Sequence, residues 1–312
     1  MAKAKNNLSF TRDYMKKALI ILNPCAGVKK ANKFMTDIIT LFCESGYTCT
    51  VQTTTRELNG YEIVRQLGDG HDLITCIGGD GTYNEVVSGV IDAGLKCQIG
   101  YIPSGSTNDF GASLGLSKVI MTAAKDIVSG RAQKFDVGSF NGRNFTYVAS
   151  CGAFTDTSYS TPTNLKNSLG HLAYVLQGLS TVLDIKPVHL ALTANGEKYE
   201  DDYLFVGICN STSLGGLVKI DEKYVDMNDG LFEVLLVKSP KNIAEWATIL
   251  HNLNVQKYEN SEMLTLFSAS EIEIVADEGI DWSLDGERQI GSEKIFIKNI
   301  RDAIELIVPN KK

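Results

Sequence analysis

Hydrophobic and polar positions change their rhythm partway along the chain. Between residues 18 and 128, short apolar runs alternate with helical periods. Ala18–Leu22, Leu73–Ile77 and Ile99–Ile102 read as buried strands, and Tyr47, Cys49 and Val51 alternate with polar neighbours as in a half-buried strand. Residues 34–45, 61–67, 86–91 and 119–128 carry apolar side chains at helical spacing. Strands and helices in alternation predict a parallel sheet covered by helices, a Rossmann-like α/β domain. Beyond residue 140 short strand-like runs dominate: Asn144–Ser150, Val188–Thr193, Tyr203–Ile208, Leu231–Val237, Ile272–Val275, Ile295–Ile300 and Ile304–Val308. Turn pairs such as Asn195-Gly196 and Asp229-Gly230 separate several of them. Two helices interrupt, near 168–183 with a leucine face and near 243–253. This half predicts a mostly-β sandwich. The expected division is 17–139 for an α/β domain and 140–312 for the β domain, with a C-terminal tail free to return to the first.

A length of 312 residues allows two full cores without a disulfide or metal staple. Seven cysteines are scattered with no CxxC pair, which speaks against a zinc ribbon and for a reducing compartment. No run approaches the ~20 apolar residues of a membrane-spanning helix. The expectation is a cytoplasmic protein. A net charge of −7 disfavours nucleic acid as a partner. That charge is uneven, however. Residues 1–33 hold eight Lys and Arg against Asp13, whereas residues 271–287 hold seven carboxylates and no Lys or Arg. The basic end offers a surface for anionic lipid.

The chemistry concentrates in loops after strands. Gly78-Gly79-Asp80-Gly81-Thr82-Tyr83-Asn84-Glu85 follows one strand and leads into a helix, a place where free N–H groups and the helix dipole receive phosphate. A carboxylate among those glycines would repel a bare phosphate, so Asp80 implies a divalent cation between them. The motif matches neither the Walker loop nor GxGxxG. Pro103–Asp109 and Asn23-Pro24-Cys25-Ala26-Gly27 also end strands. Three such loops should converge on one crevice. Asp226 and Asp229, before Leu231, read either as turn formers or as hard-cation ligands. Asp285-Gly286-Glu287 reads either as a tight hairpin or as a general base on a turn. The four histidines do not cluster, which disfavours a zinc site or a Ser-His-Asp hydrolase.

Taken in order, these motifs resemble the diacylglycerol kinase catalytic domain, shared by sphingosine and ceramide kinases and soluble bacterial lipid kinases. The resemblance runs from about Lys17 to Pro309 and includes Asp136-Val137-Gly138, Leu169-Gly170, Ala173-Tyr174 and Gly215-Gly216. It implies ATP-dependent phosphorylation of a lipid hydroxyl between the two domains. Asn23, Pro24, Cys25, Ala26, Gly27, Thr55, Gly79 through Glu85 and Ser106 would contact ATP. Asp80, Asp109 and Asp136 would organise catalytic Mg²⁺ through waters. Asp285 would accept the proton, with Glu287 nearby. Asp226, Asp229 and the Leu231 carbonyl would hold a structural Mg²⁺. Lys29 or Lys30 would reach the phosphates. The family usually has Thr at Ser106 and Ala-Arg at Gly111-Ala112, so the hydroxyl is kept and one cation is lost.

The resulting expectation is a lipid kinase with diacylglycerol as the acceptor, peripherally associated with a membrane and able to form a homodimer. An NAD kinase, or a non-catalytic lipid- or nucleotide-binding protein on the same fold, is the alternative.

Overall fold

A computed structural model of the chain describes residues 15–27, 31–153, 186–214, 218–258 and 261–310. The expected helix near 168–183, the motifs at 169–174 and 215–216, and Lys29 and Lys30 lie outside them.

The first domain runs β1 (Lys16–Leu22), α1 (Met35–Glu44), β2 (Tyr47–Thr53), α2 (Gly60–Leu67), β3 (Leu73–Gly78), α3 (Asp80–Asp92), β4 (Gln98–Pro103), α4 (Asp109–Ser113) and α5 (Ile120–Ser129). β2, β1, β3 and β4 pair in that order, all parallel. Alternate residues of β1 explain why its whole run is apolar. Leu19 and Ile21 pack with Ile63, Val64, Val86 and Val87 of α2 and α3. Ala18, Ile20 and Leu22 pack with Ile38 and Phe42 of α1 and with Ala123, Ala124 and Ile127 of α5. A strand buried on both faces loses alternation and keeps only hydrophobicity.

The second half contains β5 (Arg131–Phe140), β6 (Arg143–Phe145), β7 (Val148–Gly152), β8 (Val188–Ala194), β9 (Glu197–Cys209), the short pair β10 (Ser213–Leu214) and β11 (Val218–Lys219), β12 (Phe232–Lys238), α6 (Ile243–Asn254), β13 (Leu264–Ala269), β14 (Glu271–Ala276), β15 (Asp281–Leu284), β16 (Glu287–Ile290) and β17 (Lys294–Val308). Apart from the parallel pairing of β17 with β4, these strands pair antiparallel around a second core containing Trp282, Phe145, Phe232, Ile208 and Ile274. The protein is thus an α/β domain with a parallel sheet joined to a mostly-β domain.

Three details differ from the sequence expectation. The run 144–150 breaks into β6 and β7. The runs 295–300 and 304–308 are one strand, β17, with a register shift between Ile300 and Ile304. β5, which polar residues hide from periodicity, pairs with β17 along both parts. The far end of β17 pairs with β4, so the C-terminal strand does extend the first sheet. A joint core closes the space between the domains: Tyr83, Val86 and Phe110 from one side meet Tyr147, Phe205, Leu235 and Ile249 from the other.

Candidate active site

Three loops meet backbone to backbone at the C-terminal ends of β1, β3 and β4. A Cβ on Gly27 would lie 2.4 Å from the Ser104 carbonyl oxygen, and one on Gly105 would lie 2.6 Å from Gly79 Cα. Gly27 is also left-handed, with φ +53°. Gly78, Gly79 and Gly81 are not; what they supply is room, since a Cβ on Gly78 would strike the Thr82 side chain at 2.7 Å. Polar contacts fix the convergence. Asn23 Nδ2 donates to Thr82 Oγ1 at 2.8 Å, Ser104 N to the Gly78 carbonyl at 2.8 Å, and Gly105 N to Asn108 Oδ1 at 2.9 Å. Cys25 and Ser106 are exposed on the rim, and Pro24 and Ala26 are half-buried.

α3 starts at Asp80, earlier than apolar periodicity suggests, with extended Gly79 as its cap. Its first-turn N–H groups therefore open onto the three loops. Asp80 is buried at 7 % exposure. It accepts from Asp109 N at 3.0 Å and from the Tyr101 hydroxyl at 3.3 Å. Its pKa is pushed up to about 6, first by burial, with the Asp109 N–H opposing and the Asp109 and Asp285 carboxylates adding. Tyr101 drew no attention in the sequence because it reads as an ordinary strand residue.

The ATP-contact set divides here. Gly79, Gly81 and Thr82 line the loop junction. Tyr83 is wholly buried, stacked on Tyr101 at 4.5 Å and on Phe110 at 4.9 Å. Asn84 donates to Asp285 and to the Asn144 carbonyl. Glu85 accepts from Gly60 N at 2.9 Å, and its pKa is raised by burial, with that N–H opposing and the Glu287 charge adding. These three side chains thus contact other parts of the protein. Thr55 Oγ1 accepts from Leu58 N and Glu57 N, closing the turn after β2.

Asp285 and Glu287 arrive from the second domain on the β15–β16 hairpin. Asp285 (φ +52°) and Gly286 (φ +87°) make its two-residue turn. The Asp285 side chain is buried and fully engaged. Oδ2 accepts from Thr146 N at 2.5 Å, Thr146 Oγ1 at 2.8 Å and Asn84 Nδ2 at 2.5 Å; Oδ1 accepts from Tyr147 N and Val148 N, each at 3.0 Å. The resemblance makes Asp285 the proton acceptor; here its carboxylate, with five donors, holds the β6–β7 connection against α3. Glu287 is half exposed. Its Oε2 takes Arg143 Nη2 at 2.7 Å, and its Oε1 would stand 3.1 Å from a Cβ on Gly81.

Asp136, which the resemblance groups with Asp80 and Asp109, makes contacts of its own. Oδ1 accepts from Asp302 N at 2.8 Å and Oδ2 from Gly230 N at 2.7 Å. Burial raises its pKa against those two N–H groups, and the charges it feels are Asp229 and Asp302. Its carboxylate thus ties the 226–231 turn to the β17 register shift. A strand periodicity cannot reveal which turn a buried Asp will face.

In that turn, Asp226 Oδ1 accepts from Asn228 N at 3.3 Å, Asp229 Oδ1 from Leu231 N at 2.9 Å, and the Leu231 carbonyl from Asn299 Nδ2 at 3.1 Å. Both Asp residues act as turn formers. Buried Glu233 has an unpartnered Oε2, and its pKa is pushed up to about 8 by burial and then by Asp229 and Asp226. Among the described residues no three acidic, Cys or His side chains form a metal cage. Any divalent cation here or at Asp80 needs backbone oxygens, waters or phosphate to complete its shell. That suits Mg²⁺, which keeps several waters. At Asp80, the desolvated carboxylate beside Asp109 is relieved by such a charge, so the residues present fit the ion.

Comparison with known proteins follows the same division. Residues 17–140 match the diacylglycerol kinase catalytic domain, and residues 150–307 match the YegS C-terminal NAD kinase beta sandwich-like domain. A diacylglycerol kinase of Bacillus subtilis (strain 168) is 29% identical over 300 residues, covering 96% of this chain and 98% of the relative. One of Staphylococcus aureus (strain MRSA252) is 30% identical over 300 residues, covering 95% and 93%. The crystal structure of a diacylglycerol kinase from Bacillus anthracis str. Sterne superposes with a TM-score of 0.73 at 23% identity, covering 94% of this chain and 97% of that one.

Proposed function

The chain belongs to the diacylglycerol kinase catalytic-domain family, and we propose that it transfers the γ-phosphoryl group of ATP to a lipid hydroxyl, with diacylglycerol as the acceptor. One observation carries this reading. A buried, desolvated carboxylate, Asp80, opens a helix whose free N–H groups face three glycine loops, while Glu287 reaches over the same turn from the other domain.

Phosphoryl transfer needs position and charge neutralisation more than covalent chemistry. In this reading the close packing at Gly27, Gly79 and Gly105 gathers the three loops around the triphosphate, and the α3 N-terminus receives its charge. Asp80 and Asp109 would hold Mg²⁺, which supplies neutralisation of the phosphate oxygens. Asp226, Asp229 and the Leu231 carbonyl would hold a second, structural ion. Glu287 accepts the proton of the attacking hydroxyl, since it keeps an oxygen facing Gly81. Asp285 is a positioning residue. It fixes the hairpin that presents Glu287.

The acceptor would be taken from a membrane surface, with the protein cytoplasmic and peripherally bound. No helix among the described residues is long and apolar enough to cross a membrane. A homodimer is compatible with this reading.

The test is transfer of label from ATP in the presence of Mg²⁺ to mixed micelles of diacylglycerol, monoacylglycerol, ceramide and sphingosine, with NAD in a parallel tube. Label in diacylglycerol is the expected result. Label only in NAD establishes the NAD kinase alternative. Nucleotide binding without transfer to any acceptor points to the binding-protein reading.

A further inference from the structure

Arg143 lies on β6, which pairs only with β5 among the described strands, and Glu287 lies on β16, which pairs only with β15. No backbone ladder joins the two. The Arg143 guanidinium does: Nη2 donates to Glu287 Oε2 at 2.7 Å and Nη1 to Gln289 Oε1 at 2.8 Å. Glu287 and Gln289 are two apart on the strand and so share a face, and one planar fork spans both.

Stability does not account for this arrangement. The two side chains are 42% and 54% exposed, and ion pairs of that kind contribute about 0–1 kcal/mol. Geometry accounts for it better. The Glu287 side chain has three rotatable bonds and stands near a like charge, Glu85, which is itself held by Gly60 N. Left alone, Glu287 would turn away from Glu85 into solvent. With Oε2 held by Arg143, Oε1 is the oxygen that stays toward Gly81 and the start of α3. The guanidinium also offsets the repulsion between the two glutamates.

We propose that Arg143 is a positioning residue for phosphoryl transfer, fixing Glu287 with one oxygen aimed at the nucleotide loop. This rests on the kinase reading and on Glu287 as proton acceptor. Sequence patterning gave no sign of it, because an Arg after Asn141-Gly142 reads as the solvated edge of a turn.

The experiment is steady-state label transfer to diacylglycerol by the full chain, with wild type, Arg143→Gln, Arg143→Lys, Glu287→Gln and the Arg143→Gln/Glu287→Gln pair. Arg143→Gln should lower kcat roughly 10–100-fold, the scale set by misplacing a reacting group. KM for ATP should stay within about twofold, as for a group that acts only in the transition state. Arg143→Lys should recover part of the loss. The double variant should be no slower than Glu287→Gln, because Arg143 then has nothing to position. Melting temperatures should remain within about 2 °C of wild type. A multiplicative loss in the double variant, or a higher KM at unchanged kcat, overturns the proposal. Full activity in Arg143→Gln with an active wild type overturns it alone; a wild type that transfers to no lipid overturns the kinase reading and this with it.

Discussion

Two groups of buried or half-buried carboxylates divide the molecule. Asp285 and Asp136 hold joints between segments: Asp285 takes five backbone and side-chain donors, and Asp136 one backbone N–H on each oxygen. Asp80 and Glu287, at the mouth of the three loops, are partnered more thinly and keep room for something else. The family resemblance implies a catalytic part for all four. Donor supply sets Asp285, with five donors, apart from the rest; Asp136 and Asp80 have two each and differ in where those donors lie, on the 226–231 turn and β17 for Asp136 and on Asp109 and Tyr101 for Asp80. A carboxylate wrapped in N–H groups is an anchor, whereas one desolvated beside other carboxylates is waiting for a cation or a proton.

The sharpest way to break this division is to remove an anchor. Asp285→Ala strips the partner from five donors, three of them buried backbone N–H groups. Breaking such a network costs about 3–5 kcal/mol. Chemical denaturation should show a loss on that scale, and the folded fraction should itself turn over more slowly, because the hairpin that presents Glu287 is no longer fixed. Its neighbour on the hairpin should behave in the opposite way. Glu287→Gln should leave stability within about 0.5 kcal/mol, as for an exposed site. Its kcat should drop ~10²-fold or more, as when a general base is lost. Equal destabilisation by the two substitutions would erase the distinction.

Asp80 sharpens the comparison through pH. Its folded pKa of about 6 lies above the ordinary 3.8, so the folded protein holds that proton more tightly than the unfolded chain does. The associated stability is full below pH 3.8 and is lost as pH rises through about 6. The shift corresponds to up to about 3 kcal/mol. Asp80→Asn should therefore be more stable than wild type at pH 8, with the gain shrinking towards pH 4, while label transfer is abolished. Thermal melts across that range check it; a variant that is less stable at pH 8 contradicts it. Added Mg²⁺ should narrow the gap by raising the wild-type melting temperature at pH 8 and not at pH 5, with no comparable rise in Asp80→Asn.

The smallest effect concerns the loops themselves. Gly105→Ala places a Cβ 2.6 Å from Gly79 Cα and forces the second and third loops apart. KM for ATP should rise roughly tenfold, about 1.4 kcal/mol of binding, with kcat less affected.

Much of the first domain was legible in the chain because β1, β3 and β4 are buried on both faces and short helices with clear periods separate them. The convergence of Asn23–Gly27, Gly79–Thr82 and Pro103–Asp109 was legible for the same reason: parallel strands put their C-terminal loops together. β5 was not, since Lys134, Asp136 and Gly138 interrupt its apolar run and its partner, β17, lies far along the sequence. The roles of Asp285 and Asp136 were not legible either. They depend on register: the hairpin turn must meet residues 146–148, and the bulge at Asp302 must meet the 226–231 turn. Nothing local encodes those meetings. Arg143 was missed on the same ground, as its partners lie more than 140 positions away.

The most direct measurement is label transfer from ATP to diacylglycerol by wild type and Glu287→Gln side by side, each first shown folded by its melting curve. Transfer by the wild type and its near-complete loss in an equally stable Glu287→Gln is the predicted result. Undiminished transfer by Glu287→Gln would contradict the assignment of the proton acceptor, and a wild type that labels no lipid would contradict the kinase itself.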